Sequence, residues 1–176
     1  MPDASHPDGP PHPAAEPIDR LLSACETRRG RGSGPGGQHR NKVETAVVLV
    51  HRPTGVRGQA SERRRQSENL AAAAFRLRVN LALEVRAAVG AADPPSTRWR
   101  LRTRGGRLAI NPGHEDFPAL LAEALDRLQS VNADAAAAAE ALSVSRSQLL
   151  KLLRHDPRGL AWLNDRRADA GLGALR

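Results

Sequence analysis

The chain has 176 residues, room for one ordinary domain or two small ones, and much of its 40% hydrophobic content is alanine and leucine, which favours small helical cores. Aromatic residues make up 2% and tyrosine is absent, which excludes RNA-binding modules that stack bases on aromatic platforms. A net charge of +8 and a pI near 11.3 point to a polyanionic partner.

Cys25 is the only cysteine, which excludes a disulfide framework and a thiolate metal site. The histidines at 6, 12, 39, 51, 114 and 155 have no ligand spacing, so neither metal nor cofactor is expected. No apolar run approaches membrane-spanning length and the first sixteen residues lack a signal-peptide pattern. A soluble, cytoplasmic monomer is the expectation.

In chain order, residues 1–17 are proline-rich with almost no large apolar side chain, the composition of a disordered leader. Ile18, Leu21 and Leu22 fall at helical spacing, and residues 24–31 alternate weakly, as a strand would. A glycine-rich loop follows from Arg31 through Lys42, because glycine keeps backbone freedom and Pro35 removes a donor. Residues 45–51 (TAVVLVH) are β-branched and short, a buried strand. Pro53 and Gly55 mark a turn, and residues 56–60 return to complete a hairpin. Ser61 then caps a long helix over 62–89, with Leu70, Ala73, Leu77, Leu81 and Val85 as its apolar stripe.

Residues 90–96, with Gly90, Pro94 and Pro95, read as a linker. Residues 97–111 read as a second hairpin around Gly105 and Gly106, with Trp99, Leu101, Leu108 and Ile110 on one face. Arg98, Arg100, Arg102 and Arg104 fall on the other face, as a candidate RNA-contacting stripe. Residues 117–128 form an amphipathic helix, Asp134 and Ser145 cap two more, and a last helix carries Trp162 and Leu163. The expected fold is α+β: a small mixed sheet with one long packing helix over 18–89, then a linker, then a hairpin and small helical bundle over 97–176.

Charge is concentrated where the glycines are. Between residues 28 and 66, Lys or Arg stands at 28, 29, 31, 40, 42, 52, 57, 63, 64 and 65, against only Glu44 and Glu62, so this segment accounts for the net charge of the chain. Gly32-x-Gly34-x-x-Gly37 formally fits a dinucleotide fingerprint. It lacks the hydrophobic strand before it, the helix at its end and the later acidic residue. A P-loop would need Lys and Ser or Thr after Gly37, where Gln38 stands. What remains is a loop that brings a backbone N–H and a side-chain amide close to a reacting centre. Gln38 has no useful pKa, so its chemistry would be positioning water and stabilising negative charge.

In register, Arg31-x-Ser33-Gly34-Pro35-Gly36-Gly37-Gln38-x-x-Asn41-Lys42, Thr45-Ala46-Val47, His51-x-Pro53-Thr54-Gly55 and Arg64-x-Gln66-x-x-Asn69 resemble the peptidyl-tRNA hydrolase domain of bacterial-type class I peptide chain release factors. The resemblance covers about residues 24–87. It implies that Gly36, Gly37 and Gln38 form the catalytic tip, which enters the peptidyl transferase centre of the large ribosomal subunit and promotes attack of water on the peptidyl-tRNA ester. It implies loop support or contact with rRNA and tRNA for Arg31, Ser33, Gly34, Pro35, His39, Asn41, Lys42, Arg64, Gln66 and Asn69, and makes Gln38 a candidate for a glutamine methyltransferase. Arg40, Val48 and Arg65 depart from the family pattern, where an apolar, a basic and a serine residue are usual, and bear on how the loop is placed.

The family reads stop codons with a domain placed before the hydrolase domain, and only some 23 residues precede the resemblance here. The expectation is therefore a shortened factor that rescues ribosomes without reading a codon. Residues 138–149 also resemble the helix-turn-helix of bacterial regulators. That leaves as the alternative a non-catalytic nucleic-acid-binding or regulatory protein using the basic loop and the tail.

Overall fold

The structure, a computed structural model, describes residues 11–30 and 45–176. Strands β1 (Cys25–Gly30), β2 (Ala46–His51) and β3 (Arg57–Ala60) form a three-stranded sheet in that order. Both pairings are antiparallel, so the sheet expected as mixed is wholly antiparallel, and the fold is α+β as expected. Val47, Leu49 and His51 alternate inward along β2, which fixes the register against the helix that covers them.

That helix, α2 (Gln66–Glu84), lies almost on the backbone of β3. A Cβ placed on Gly58 would stand 2.3 Å from the Ala73 carbonyl oxygen and 2.6 Å from the Leu77 Cβ. Glycine on the strand and alanines 73 and 74 on the helix allow the approach, and Asn80 Nδ2 donates to the Arg57 carbonyl at 2.7 Å beside it. The helix is shorter than expected at both ends. Ser61 does not cap it, because the Asn69 amide holds both the N–H and the C=O of Arg63 outside helical geometry. At the far end Val85 is extended, and the Asp126 carboxylate takes the Ala87 N–H and the Arg86 guanidinium.

The turn between β2 and β3 is held by its own side chains. Gly55 has φ +74° and its N–H donates to the His51 carbonyl at 2.7 Å, a geometry glycine adopts without strain. The His51 ring shares a hydrogen bond with the Thr54 hydroxyl at 2.8 Å and is 4% exposed. Burial holds the imidazole pKa below its usual 6.5, so the folded protein keeps this ring neutral. The unfolded chain takes up a proton below pH 6.5, so His51 contributes stability above that pH that is lost as pH falls. Urea titrations at pH 7.5 and 5.5 are expected to show a smaller pH-dependent loss for His51→Gln than for the wild type.

The disordered leader is corrected over residues 11–17. A 3-10 turn at Pro13–Ala15 packs Ala14 fully into the core, ahead of α1 (Ile18–Ser23). His12 Nδ1 accepts from the Ala14 N–H at 3.0 Å, so its Nε2 is the donor to the Val85 carbonyl at 3.1 Å. Arg78, from α2, donates to the carbonyls of Ala14 and Glu16.

Residues 97–102 are also corrected, from strand to helix. Helix α3 (Thr97–Arg102) is capped by the Ser96 hydroxyl, which accepts from the Trp99 N–H at 3.1 Å, and Glu123 holds Ser96 from the other side. Trp99 is fully buried and its indole N–H donates to the Leu142 carbonyl at 2.9 Å, while Leu101 is 74% exposed. Helical spacing, not alternation, therefore sorts these side chains. Only β4 (Thr103–Arg104) and β5 (Arg107–Leu108) remain of the expected hairpin.

Helices α4 (Phe117–Ser130), α5 (Ala135–Ala141), α6 (Arg146–Arg154) and α7 (Pro157–Asp169) complete the chain, with Asp134 and Ser145 capping α5 and α6 as expected. Helix α4 packs against α2, and one apolar cluster runs from the sheet to Leu163. The buried Arg127 of α4 donates to the carbonyls of Gly90, Ala91 and Asp93, so the expected linker is tied to the core. Among the described residues no helix is long and apolar enough to cross a membrane.

Candidate active site at the glycine loop

Strands β1 and β2 carry the glycine loop between them, and its two roots, Gly30 and Ala46, face each other as a cross-strand pair. Arg31, Ser33, Gly34, Pro35, Gly36, Gly37, Gln38, His39, Arg40, Asn41 and Lys42 all lie outside the described residues.

Thr45 is the first described residue after the loop, and its carbonyl accepts from Asn69 Nδ2 at 2.7 Å. The same Nδ2 donates to the Arg63 carbonyl at 3.0 Å, and Oδ1 accepts from the Arg63 N–H at 2.9 Å. Asn69 is fully buried in the first turn of α2, with both amide protons and its oxygen engaged. One side chain thus ties the outgoing root of the loop to the entry of the helix. Replacing the buried Asn69 with alanine removes its hydrogen bonds to the backbone of Thr45 and Arg63, at about 0.5–1.5 kcal/mol each. Urea unfolding of Asn69→Ala is expected to show that loss.

Arg64 is exposed and Gln66, the first residue of α2, is half-buried, so the structure joins Asn69 to the loop root and leaves Arg64 facing solvent. Of the departures, Arg65 is exposed at the helix entry, and Val48 lies on the outer face of the sheet opposite Arg28.

A groove of about 380 Å³ opens beside the roots, lined by Arg28, Arg29, the start of β2, and residues 59–62 with Arg76. Glu62 pairs with Arg76 at 2.7 Å and accepts from the Ser61 N–H at 3.0 Å. Those bonds hold its carboxyl at about 2, so Glu62 stays ionised and answers Arg76. Arg28 is likewise answered by Glu26 at 2.7 Å. Arg29, Arg63, Arg64 and Arg65 are exposed and make no ion pair among the described residues, which leaves a cationic rim around the loop. Such a rim suits phosphate. The only histidine on this sheet, His51, is buried and neutral, and no group of three metal-binding side chains occurs among the described residues.

The arginine stripe is divided. Arg98 and Arg102, one helical turn apart on α3, both pair with Asp116, at 3.1 and 2.7 Å, while Arg100 and Arg104 are exposed. Sequence reasoning missed Asp116 as their counter-ion. A helical reading of 97–102 would have exposed the i, i+4 relation that converges on it.

The RF-1 domain model matches residues 22–104, a span that contains the loop, its roots and the Asn69 clamp. The chain is similar to Peptide chain release factor 1 of Acidiphilium cryptum, 42% identical over 81 residues, which is 45% of this chain and 23% of that protein. It is similar to the same factor of Granulibacter bethesdensis, 36% identical over 93 residues, 52% of this chain and 26% of that one. The chloroplastic release factor PrfB1 of Arabidopsis thaliana is 49% identical over 51 residues, 29% of this chain and 11% of its own. The chain therefore spans about a quarter of the length of the release factor 1 proteins it matches. No solved structure matches it.

Proposed function

We propose, from the match of residues 22–104 to the RF-1 domain model, that the chain promotes hydrolysis of the peptidyl-tRNA ester on the ribosome. One observation carries the reading: the matched span, residues 22–104, contains the Gly36-Gly37-Gln38 segment and the two elements that root it. In this reading the tip works in the peptidyl transferase centre, where ribosomal RNA and the peptidyl-tRNA complete the site. The Gln38 N–H stabilises the oxyanion that forms as water attacks the ester carbonyl, and the side-chain amide helps place that water. Gly36 and Gly37 let the backbone approach, and Arg31, Ser33, Gly34, Pro35, His39, Asn41 and Lys42 hold the loop against rRNA and tRNA. Gln38 is also the residue a glutamine methyltransferase would modify. The protein acts as a monomer in the cytoplasm.

The finer part of the proposal is that release needs no stop codon. Affinity for the ribosome would come from exposed cations around the loop and in the C-terminal half rather than from codon contacts, a binding mode that tracks phosphate and not sequence. Peptide release is measured on ribosomes holding peptidyl-tRNA with a stop codon, a sense codon or no codon in the A site. Comparable release in all three is expected. Release confined to stop codons would overturn codon independence, and no release in any of them would overturn the hydrolase reading.

A further inference from the structure

Residues 97–107 hold five arginines, and the fold separates them by what they meet. Arg98 and Arg102 are answered by Asp116. Arg104 and Arg107 are exposed and stand directly opposite each other across the β4–β5 pair. Like charges facing across a strand pair repel. Neither has a carboxylate within ion-pair distance among the described residues.

The tip of this hairpin, turned by Gly105 and Gly106 at φ +53° and +72°, is seated on the helical half of the chain. The Gly106 carbonyl accepts from the Ser145 N–H at 3.4 Å, which puts the tip at the start of α6. Helix α6 buries Leu149, Leu150, Leu152 and Leu153, and its exposed side carries Arg146, Ser147 and Lys151. Arg146 and Lys151 also make no ion pair among the described residues. Asp134 feels the field of Arg146 but is committed to capping α5 through the Ala136 and Ala137 N–H groups. Two segments some forty residues apart thus contribute unanswered cations to one edge of the molecule.

We propose that this edge, the β4–β5 hairpin with the exposed side of α6, binds the phosphate backbone of double-stranded RNA. A cluster of like charges is repulsive in the free protein, and phosphates relieve that repulsion while releasing their counterions. Of the side chains on this edge none is aromatic, so unstacked bases have nothing to stack on. The shallow minor groove of an A-form duplex, bordered by phosphates and 2′-hydroxyls, suits a flat array of guanidinium, ammonium and hydroxyl groups. The choice of RNA over DNA rests on the proposed work at the ribosome; the surface itself stands on the geometry.

The test uses the full chain and a 20-base-pair RNA duplex, a DNA duplex of the same sequence and the single-stranded RNA, followed by fluorescence anisotropy over a salt series. The variant R104Q/R107Q/R146Q/K151Q is expected to bind the RNA duplex at least tenfold more weakly, with its log-log salt slope lower by roughly 3. The charge-conserving variant R104K/R107K/R146K/K151R is expected to bind like wild type, and circular dichroism checks that both fold. An unchanged affinity in the glutamine variant would overturn the surface, and tighter binding of the DNA duplex by wild type would overturn the assignment to RNA. Peptide release is followed separately. Release without duplex binding would sink this surface and leave the hydrolase reading standing, and charge-dependent duplex binding without release would do the reverse.

Discussion

Replacing Gln38 with alanine is expected to lower the rate of peptide release by roughly 10²-fold, the order of loss that follows when a reacting group, here the attacking water, is no longer held in place. The side-chain amide neither gives nor takes a proton near neutral pH, so its contribution is geometric: it holds water and narrows the space around the ester. Alanine keeps the backbone N–H and removes the amide. A residual rate above the uncatalysed one is therefore expected, and Gln38→Pro, which also removes the N–H, is expected to fall further. Affinity for the ribosome should change little, since the exposed cations of the described rim, Arg29, Arg63, Arg64 and Arg65, are untouched. Single-turnover release, with ribosome binding followed in parallel, separates the two effects. Release by Gln38→Ala at the wild-type rate would remove Gln38 from the chemistry, and a parallel loss of binding would make it an anchor instead.

Gly58→Val is expected to destabilise the protein by about 3 kcal/mol or more, toward the upper end of overpacking effects. The first added carbon already lies 2.3 Å from the Ala73 carbonyl oxygen and 2.4 Å from the Leu77 nitrogen, both backbone atoms of α2 that no rotamer change can move. Either the helix lifts from the sheet or β3 peels from β2, and both disturb the Asn69 clamp on Thr45 at the loop root. Release activity should therefore fall with stability. Gly30→Ala is the control, since a Cβ there meets nothing within 4 Å among the described residues. Urea unfolding should show the first variant shifted strongly and the second hardly at all. Equal shifts would mean that the close approach of α2 to β3 is not what makes the glycine necessary.

The alternation along β2 and the caps at Asp134 and Ser145 were legible because strand period and helix capping are local rules. The same rules misread 97–102. Trp99, Leu101 and the arginines alternate as a strand would, yet Ser96 caps a helix there and the Trp99 indole reaches Leu142, 43 residues away. Residues 62–65 failed in the opposite sense. Ser61 is a sound cap by type, but Asn69 takes the Arg63 backbone that a helix start would need.

By itself the sequence determined the α+β class, the placing of strands 46–51 and 57–60 ahead of the long helix, and the concentration of charge between residues 28 and 66, because these follow from residue type and spacing within short windows. The tertiary structure alone decided which polar groups answer one another. Asn69 closes on Thr45, Arg127 on the carbonyls of 90–93, Asp116 on Arg98 and Arg102, and Arg104, Arg107, Arg146 and Lys151 are left without a counter-ion among the described residues. Charge and hydrogen-bond partners are chosen by distance in space, and chain order carries no record of that distance until the elements pack.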